Sequence, residues 1–187
     1  MSEPSAGARP SAADVVEFWR AAGHDRWFDD DAAFDAEIRR RFAATYEDAA
    51  AGRLSAWENS PQSALALVIV LDQFPRNMFR GSARCFAADP LARAVADRAI
   101  GRGLDRQIAM PLRSFFYLPF EHSEALADQD RAVALFRETG DADLLKWAEL
   151  HADIIRRFGR FPHRNAVLRR TTTLEEQAFL DGGGFGG

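Results

Sequence analysis

Apolar residues recur at helical spacing along most of the chain. Phe34, Ile38, Phe42 and Tyr46 fall every four residues between about Asp31 and Ala51, with Arg39 to Arg41 off that stripe and Gly52 as a stop. Ser11 and Asp14 have the spacing of a capping box ahead of Val15, Phe18 and Trp19, which predicts a helix to about Ala22. Ser60-Pro61 pairs a cap with a first-turn proline before the apolar run Ala64 to Leu71. Leu67 to Leu71 alone would suit a buried strand, but the start signal and the length to Phe74 predict a helix buried nearly all round.

The same punctuation continues. Asp89-Pro90 repeats the cap-plus-proline device and opens a helix that Gly103 ends. A further helix is predicted from about Ser123 to Glu138, closed by Gly140. Asp141 caps the next, where Leu144, Ala148, His151, Ile155 and Phe158 follow 4-3-4-3 spacing up to Gly159. Thr173 and Glu176 form a capping box for a short helix to about Leu180. No hairpin, βαβ alternation or fixed-period repeat interrupts this pattern. The expected organisation is a flexible N-terminus over 1–10, one all-α domain over 11–181, and a flexible Gly-rich tail over 182–187.

At 187 residues and 28% charged, the composition is that of a globular protein able to bury a core. Cys85 stands alone, so no intramolecular disulfide forms. The longest apolar run spans 8 residues, against the ~20 a bilayer requires. With no signal-like segment near Met1, a cytoplasmic location is expected, without membrane contact. The net charge of −4 argues against nucleic acid as a partner.

Four segments carry polar groups that packing does not require. In Asp72-Gln73-Phe74-Pro75-Arg76-Asn77-Met78-Phe79-Arg80, Asp72 follows an apolar run near an expected helix end, where the macrodipole disfavours an acid. Arg76 and Arg80 are its near partners. Glu121, His122 and Glu124 follow an aromatic segment cut by Pro119; they suit acid/base or metal chemistry, but their spacing matches no standard zinc signature. His151 lies on the apolar stripe of its helix, either as a hydrogen-bonded core histidine or facing an internal polar site. From Arg156 to Arg170 there are six Arg and no acid, with Arg160, His163, Arg164 and Asn165 around a Phe-Pro break. Phe74-Pro75-Arg76-Asn77 and Phe161-Pro162-His163-Arg164-Asn165 echo one another, as though two similar turns framed one site.

These segments, LDQFPRNMFRG, FFYLPFEHSE and HADIIRRFGRFPHRNAVL with TLEEQAFL, together with VVEFW and Trp27-Phe28, resemble the bacterial domain-of-unknown-function family numbered 924. The resemblance runs from about Asp14 to Leu180. It implies a tetratricopeptide-like α-α superhelix of about eight or nine helices, although the Trp-x-x-Leu-Gly repeat pattern is missing, and it implies no activity. Leu168-Arg169-Arg170 departs from the family's Leu-Gly-Arg; this removes the glycine that a tight turn at 169 would use and keeps Arg170.

The expected site therefore gathers Asp72, Arg76, Asn77, Arg80, Glu121, His122, Glu124, His151, Arg160, His163, Arg164 and Asn165 in one polar pocket. The leading reading is a binding module for a small anion or a peptide carboxylate, with arginine as the clamp. The alternatives are a hydrolase, with His122 or His151 as general base, Glu121 as a further catalytic candidate and a divalent metal as an option, and a protein-interaction scaffold whose ion cluster is purely structural. The residues identify no cofactor.

Overall fold

The structure, a computed structural model, describes residues 9–185, and these are helical with no strand. The expected flexible N-terminus lies outside the described residues up to position 8, as do Gly186 and Gly187. The α-helices in chain order are α1 (Ala12–Ala22), α2 (His24–Trp27), α3 (Ala32–Ala50), α4 (Pro61–Val68), α5 (Phe74–Met78), α6 (Asp89–Gly101), α7 (Leu118–Glu121), α8 (Leu126–Thr139), α9 (Ala142–Phe158) and α10 (Leu174–Asp181). Single 3-10 turns fill several connections. No described helix is long and apolar enough to cross a membrane.

Local chemistry sets the helix starts. The Ser11 hydroxyl accepts from the Asp14 N–H while the Asp14 carboxylate accepts from the Ser11 N–H, and Thr173 and Glu176 repeat that capping box. Asp31 and Asp141 each accept two backbone N–H bonds at the starts of α3 and α9. Gly159 ends α9 in the left-handed region at φ 69°, a conformation costly for a residue with a Cβ.

The central helix departs from expectation at Phe74-Pro75. Instead of ending there, α4 continues through a wide π turn at Ile69–Gln73 directly into α5. Proline has no N–H to give the helix ladder, and the wide turn, with Phe74 N–H bonded to Ile69 C=O, absorbs that loss. Asp72 therefore sits inside a continuous helix, not at its end. Residues 64–75 of this helix are buried on every side, packed by α1, α3 and α6. Phe42 and Phe74, 4.8 Å apart, and Trp19 against Phe74 and Phe115 are its aromatic seams.

The antiparallel pair α8 and α9 closes the other side, and Ile154, Ile155 and Phe161 form a second small cluster beneath α10. Beyond α10 the chain turns back, so Gly182–Phe185 lies against the fold instead of extending away from it. The Phe161-Pro162 break opens a 3-10 turn after Gly159, so it differs in geometry from the Phe74-Pro75 segment that echoes it.

Arg169 adopts φ 55°, the position where the resembling family carries glycine, so the tight turn is kept without it. The Arg170 N–H bonds to Asn165 C=O across that turn at 2.8 Å. The left-handed region costs an L-residue about 1–2 kcal/mol, and part of that gain is returned through the freer unfolded chain that glycine allows. Arg169→Gly is expected to stabilise the protein by about 0.5–1 kcal/mol, which thermal unfolding reads as a rise in Tm of about 1–4 °C. A lowered Tm would show that the side chain of Arg169 contributes more than its backbone strain removes.

Candidate functional site

Asp72 has no exposed surface, yet it carries a carboxylate. An acid withdrawn from water survives only with partners for its oxygens. The π turn aims it at three. His122 Nδ1 stands 2.9 Å from Oδ1, Gln73 Nε2 donates to Oδ2 at 2.6 Å, and Arg76 Nη1 lies 3.3 Å from Oδ1. Arg76 also donates to the Asp72 backbone oxygen at 2.6 Å and forks onto Asp89, with Nη1 2.9 Å from Oδ1 and Nη2 3.0 Å from Oδ2. Asp89 therefore does not serve as the cap its Asp-Pro setting suggests. Ala88 is the N-cap of α6, without a side-chain bond, and the Asp89 carboxylate is drawn inward by Arg76.

Around this ion cluster lies a second layer. α7 carries Glu121, buried, with His122 at its end; α9 carries His151; the turn after Phe161 carries His163 and Arg164. His151 Nδ1 donates to the Trp147 carbonyl at 2.8 Å and stands 3.2 Å from Glu121 Oε1. Gln129 braces the segment by donating to the carbonyls of Glu121 and Ser123. Arg164 is 7% exposed and is held over the rings of Phe86 and Phe161, with Cζ 4.4 and 4.6 Å from their centroids. Its nearest acid is Asp89, 3.7 Å away and outside hydrogen-bond range.

Burial dictates the protonation states, and charge corrects them. Burial would raise Asp72, but Arg76 and His122 reverse the sign and hold it below the usual carboxylate range. Glu121 has no such help; burial, with Asp72 nearby, pushes it up to about 8, so it is protonated at neutral pH. Burial lowers His122, and Arg76 adds to that. Burial brings His151 to about 4 and His163 to about 3. All three imidazoles are neutral at pH 7. With Nδ1–H of His122 committed to Asp72, Nε2 keeps its lone pair, and among the described residues it makes no hydrogen bond. Burial and the like charge of Arg76 lower Arg164 to about 10, which still leaves it a cation.

The expected site residues thus divide. Asp72, Arg76, Glu121, His122, His151, His163 and Arg164 converge. Asn77 and Arg80 instead face Asp35 on α3, Asn77 at 2.8 Å and Arg80 by a two-point contact at 2.9 and 3.2 Å. Glu124 accepts the Phe161 N–H and a fork from Arg170. Arg160 and Asn165 both bond Glu176 on α10, with Arg160 the main cause of a Glu176 pKa held down at about 2. These five are struts between elements. Asp89, Gln73, Phe86 and Phe161 complete the site, and nothing local in the sequence distinguishes Asp89 from an ordinary helix cap. Among the described residues no three of His, Cys, Asp and Glu group to hold a metal ion.

Comparison with known proteins follows the same motifs. The family described as "Bacterial protein of unknown function (DUF924)" matches residues 15–184. A solved structure of a protein of unknown function from Agrobacterium tumefaciens is similar at 51% identity and a TM-score of 0.89, covering 91% of this chain and 97% of that one. No curated protein matches.

Two outcomes follow from the cluster. Asp72→Asn leaves Arg76 and His122 facing a neutral amide in a buried turn, and is expected to cost about 3 kcal/mol by chemical denaturation, near the lower figure for breaking a buried pair. Glu121→Gln tests the raised carboxyl. A folded-state pKa of about 8 against an unfolded value near 4.5 means the native state holds the extra proton, so this group's contribution falls as pH rises through that window. The variant is expected to gain stability relative to the parent between pH 4.5 and 8; a pH-independent difference would contradict the assignment.

Proposed function

Since the chain belongs to the bacterial DUF924 family, whose description carries no activity, we propose its function from the geometry: it binds a small anion, a carboxylate or phosphate, on Arg164, which shares Asp89 with the Arg76–Asp72–His122 cluster. One observation carries this reading. Arg164 is a buried cation, and among the described residues no side-chain N–H of its guanidinium makes a hydrogen bond; Nε is fully withdrawn from solvent and unpartnered. Buried donors are normally satisfied, and leaving a charged one unmade is costly. Ring contacts hold the guanidinium by its faces, whereas its donors lie in the plane, where a carboxylate or phosphate accepts two at once. Arg76 does not share the task, because Asp72 and Asp89 already occupy its terminal nitrogens.

A peptide carboxylate would present the same two oxygens, and in that form a tetratricopeptide-like superhelical path, of which the α8–α9 hairpin is the clearest pair, would supply the binding wall. The Asp72–His122 pair favours a second reading. A neutral imidazole oriented by a buried carboxylate, with Nε2 available, is the arrangement of a general base, and a bound anion would place its reacting atom within reach of a hydrolytic water. Between the two histidines considered for that role, His122 is the better placed, because its Nδ1 partner is a carboxylate that stabilises the imidazolium formed on proton uptake, whereas His151 has only the neutral Trp147 carbonyl.

Thermal unfolding with inorganic phosphate and a series of small carboxylates tests the binding reading. Saturation at about 100-fold over Kd is expected to stabilise the parent by about 2.7 kcal/mol, and the gain should vanish in Arg164→Gln. An equal shift in both proteins would overturn the site. For the catalytic reading, ester or phosphate-ester hydrolysis is expected to fall by at least about 100-fold in His122→Gln, with anion binding retained.

A further inference from the structure

The segment after α10 returns to the site just described. Gly183 sits at φ 77°, and the Gly184 N–H bonds to Phe179 C=O at 2.9 Å. A Cβ at Gly184 would fall 2.5 Å from that carbonyl oxygen and 2.7 Å from the Phe179 ring, so only glycine allows this fold-back. Its effect is to set Phe185 against the two neutral histidines. The ring lies edge-on to His151 at 4.5 Å and to His163 at 5.3 Å, with Trp147 at 6.4 Å. Phe161 spans the gap to the proposed anion site, its centroid 4.6 Å from Arg164 Cζ and 5.7 Å from the His151 ring.

One feature sets this contact apart from ordinary core packing. Phe185 stays half-buried and is tied down by ring contacts and the turn hydrogen bonds of Gly183 and Gly184. A half-buried ring held by such edge contacts is one that a ligand ring of the same shape replaces contact for contact.

We propose that the natural ligand is a small anion bearing an aromatic ring, and that Phe185 occupies the place of that ring until the ligand displaces it. The proposal rests on the Arg164 reading: the anion anchors on the guanidinium, and the ring takes the slot formed by His151, His163 and Trp147. Phe185 then competes with the ring but not with the anion.

Propionate and 3-phenylpropionate share one carboxylate and differ by the ring, so titration of each into the parent, Phe185→Ala and Arg164→Gln by calorimetry separates the claims. The expected result is that Phe185→Ala binds 3-phenylpropionate at least tenfold more tightly than the parent and propionate with unchanged affinity. In the parent, 3-phenylpropionate should also release the Gly184 amide to hydrogen exchange, and propionate should not. If Phe185→Ala binds 3-phenylpropionate equally or more weakly, Phe185 is a fixed wall and the proposal fails while the anion site stands. If neither carboxylate binds the parent or Phe185→Ala, or if both bind undiminished to Arg164→Gln, the Arg164 reading fails and this one falls with it.

Discussion

Arg76 bridges Asp72 and Asp89 at the centre of the fold. It joins the buried central helix to the start of α6, and it neutralises a carboxylate that has no access to water. Taking an acid that far into the core is unfavourable unless cation and hydrogen bonds arrive together. Here the π turn makes this possible, because it re-aims Asp72 while accommodating Pro75 one turn from the end of the helix. The same fork frees Arg164. Asp89 is already held by two short bonds from Arg76, so it reaches Arg164 only at 3.7 Å. One arginine is spent on the fold, and its neighbour keeps its donors.

Protonation follows from that division. Asp72 and Asp89 balance Arg76 and Arg164, while Glu121, His122, His151 and His163 are uncharged at neutral pH. A bound anion would tilt this balance, because negative charge beside His122 favours its imidazolium. Under the proposed binding reading, anion uptake and proton uptake at His122 would therefore be coupled. Such a coupling would give a binding protein a pH dependence and an enzyme a general acid, since the imidazolium has no lone pair with which to act as a base.

Much of the fold was legible along the chain because its signals are local. The capping boxes at Ser11 and Thr173, the caps at Asp31 and Asp141, and the four-residue stripe from Phe34 to Tyr46 depend on residues within one or two turns of one another. Where the structure departs from the local signals, distant contacts override local preference. Pro75 does not end its helix, because the π turn absorbs the missing donor. Asp89 looks like a cap, but Arg76, thirteen residues earlier, claims it. Arg169 holds a glycine conformation because the Arg170–Glu124 fork and the Asn165 carbonyl fix the turn on both sides. Among the candidate residues, charge type and helix breaks pick out segments that meet in space, but they do not separate the struts from the converging groups. Arg80 and Arg164 look alike in sequence; only the partner each meets in space, Asp35 or the rings of Phe86 and Phe161, separates them.

If Arg164 clamps an anion as proposed, its own Nε–H resonance reports the event. With nitrogen-15 arginine and the Arg164→Gln variant to assign the signal, titration with inorganic phosphate is expected to shift that resonance and slow its exchange with water in a saturable way. A resonance already protected before any anion is added, and unmoved by phosphate, would contradict the account and leave Arg164 a purely structural cation.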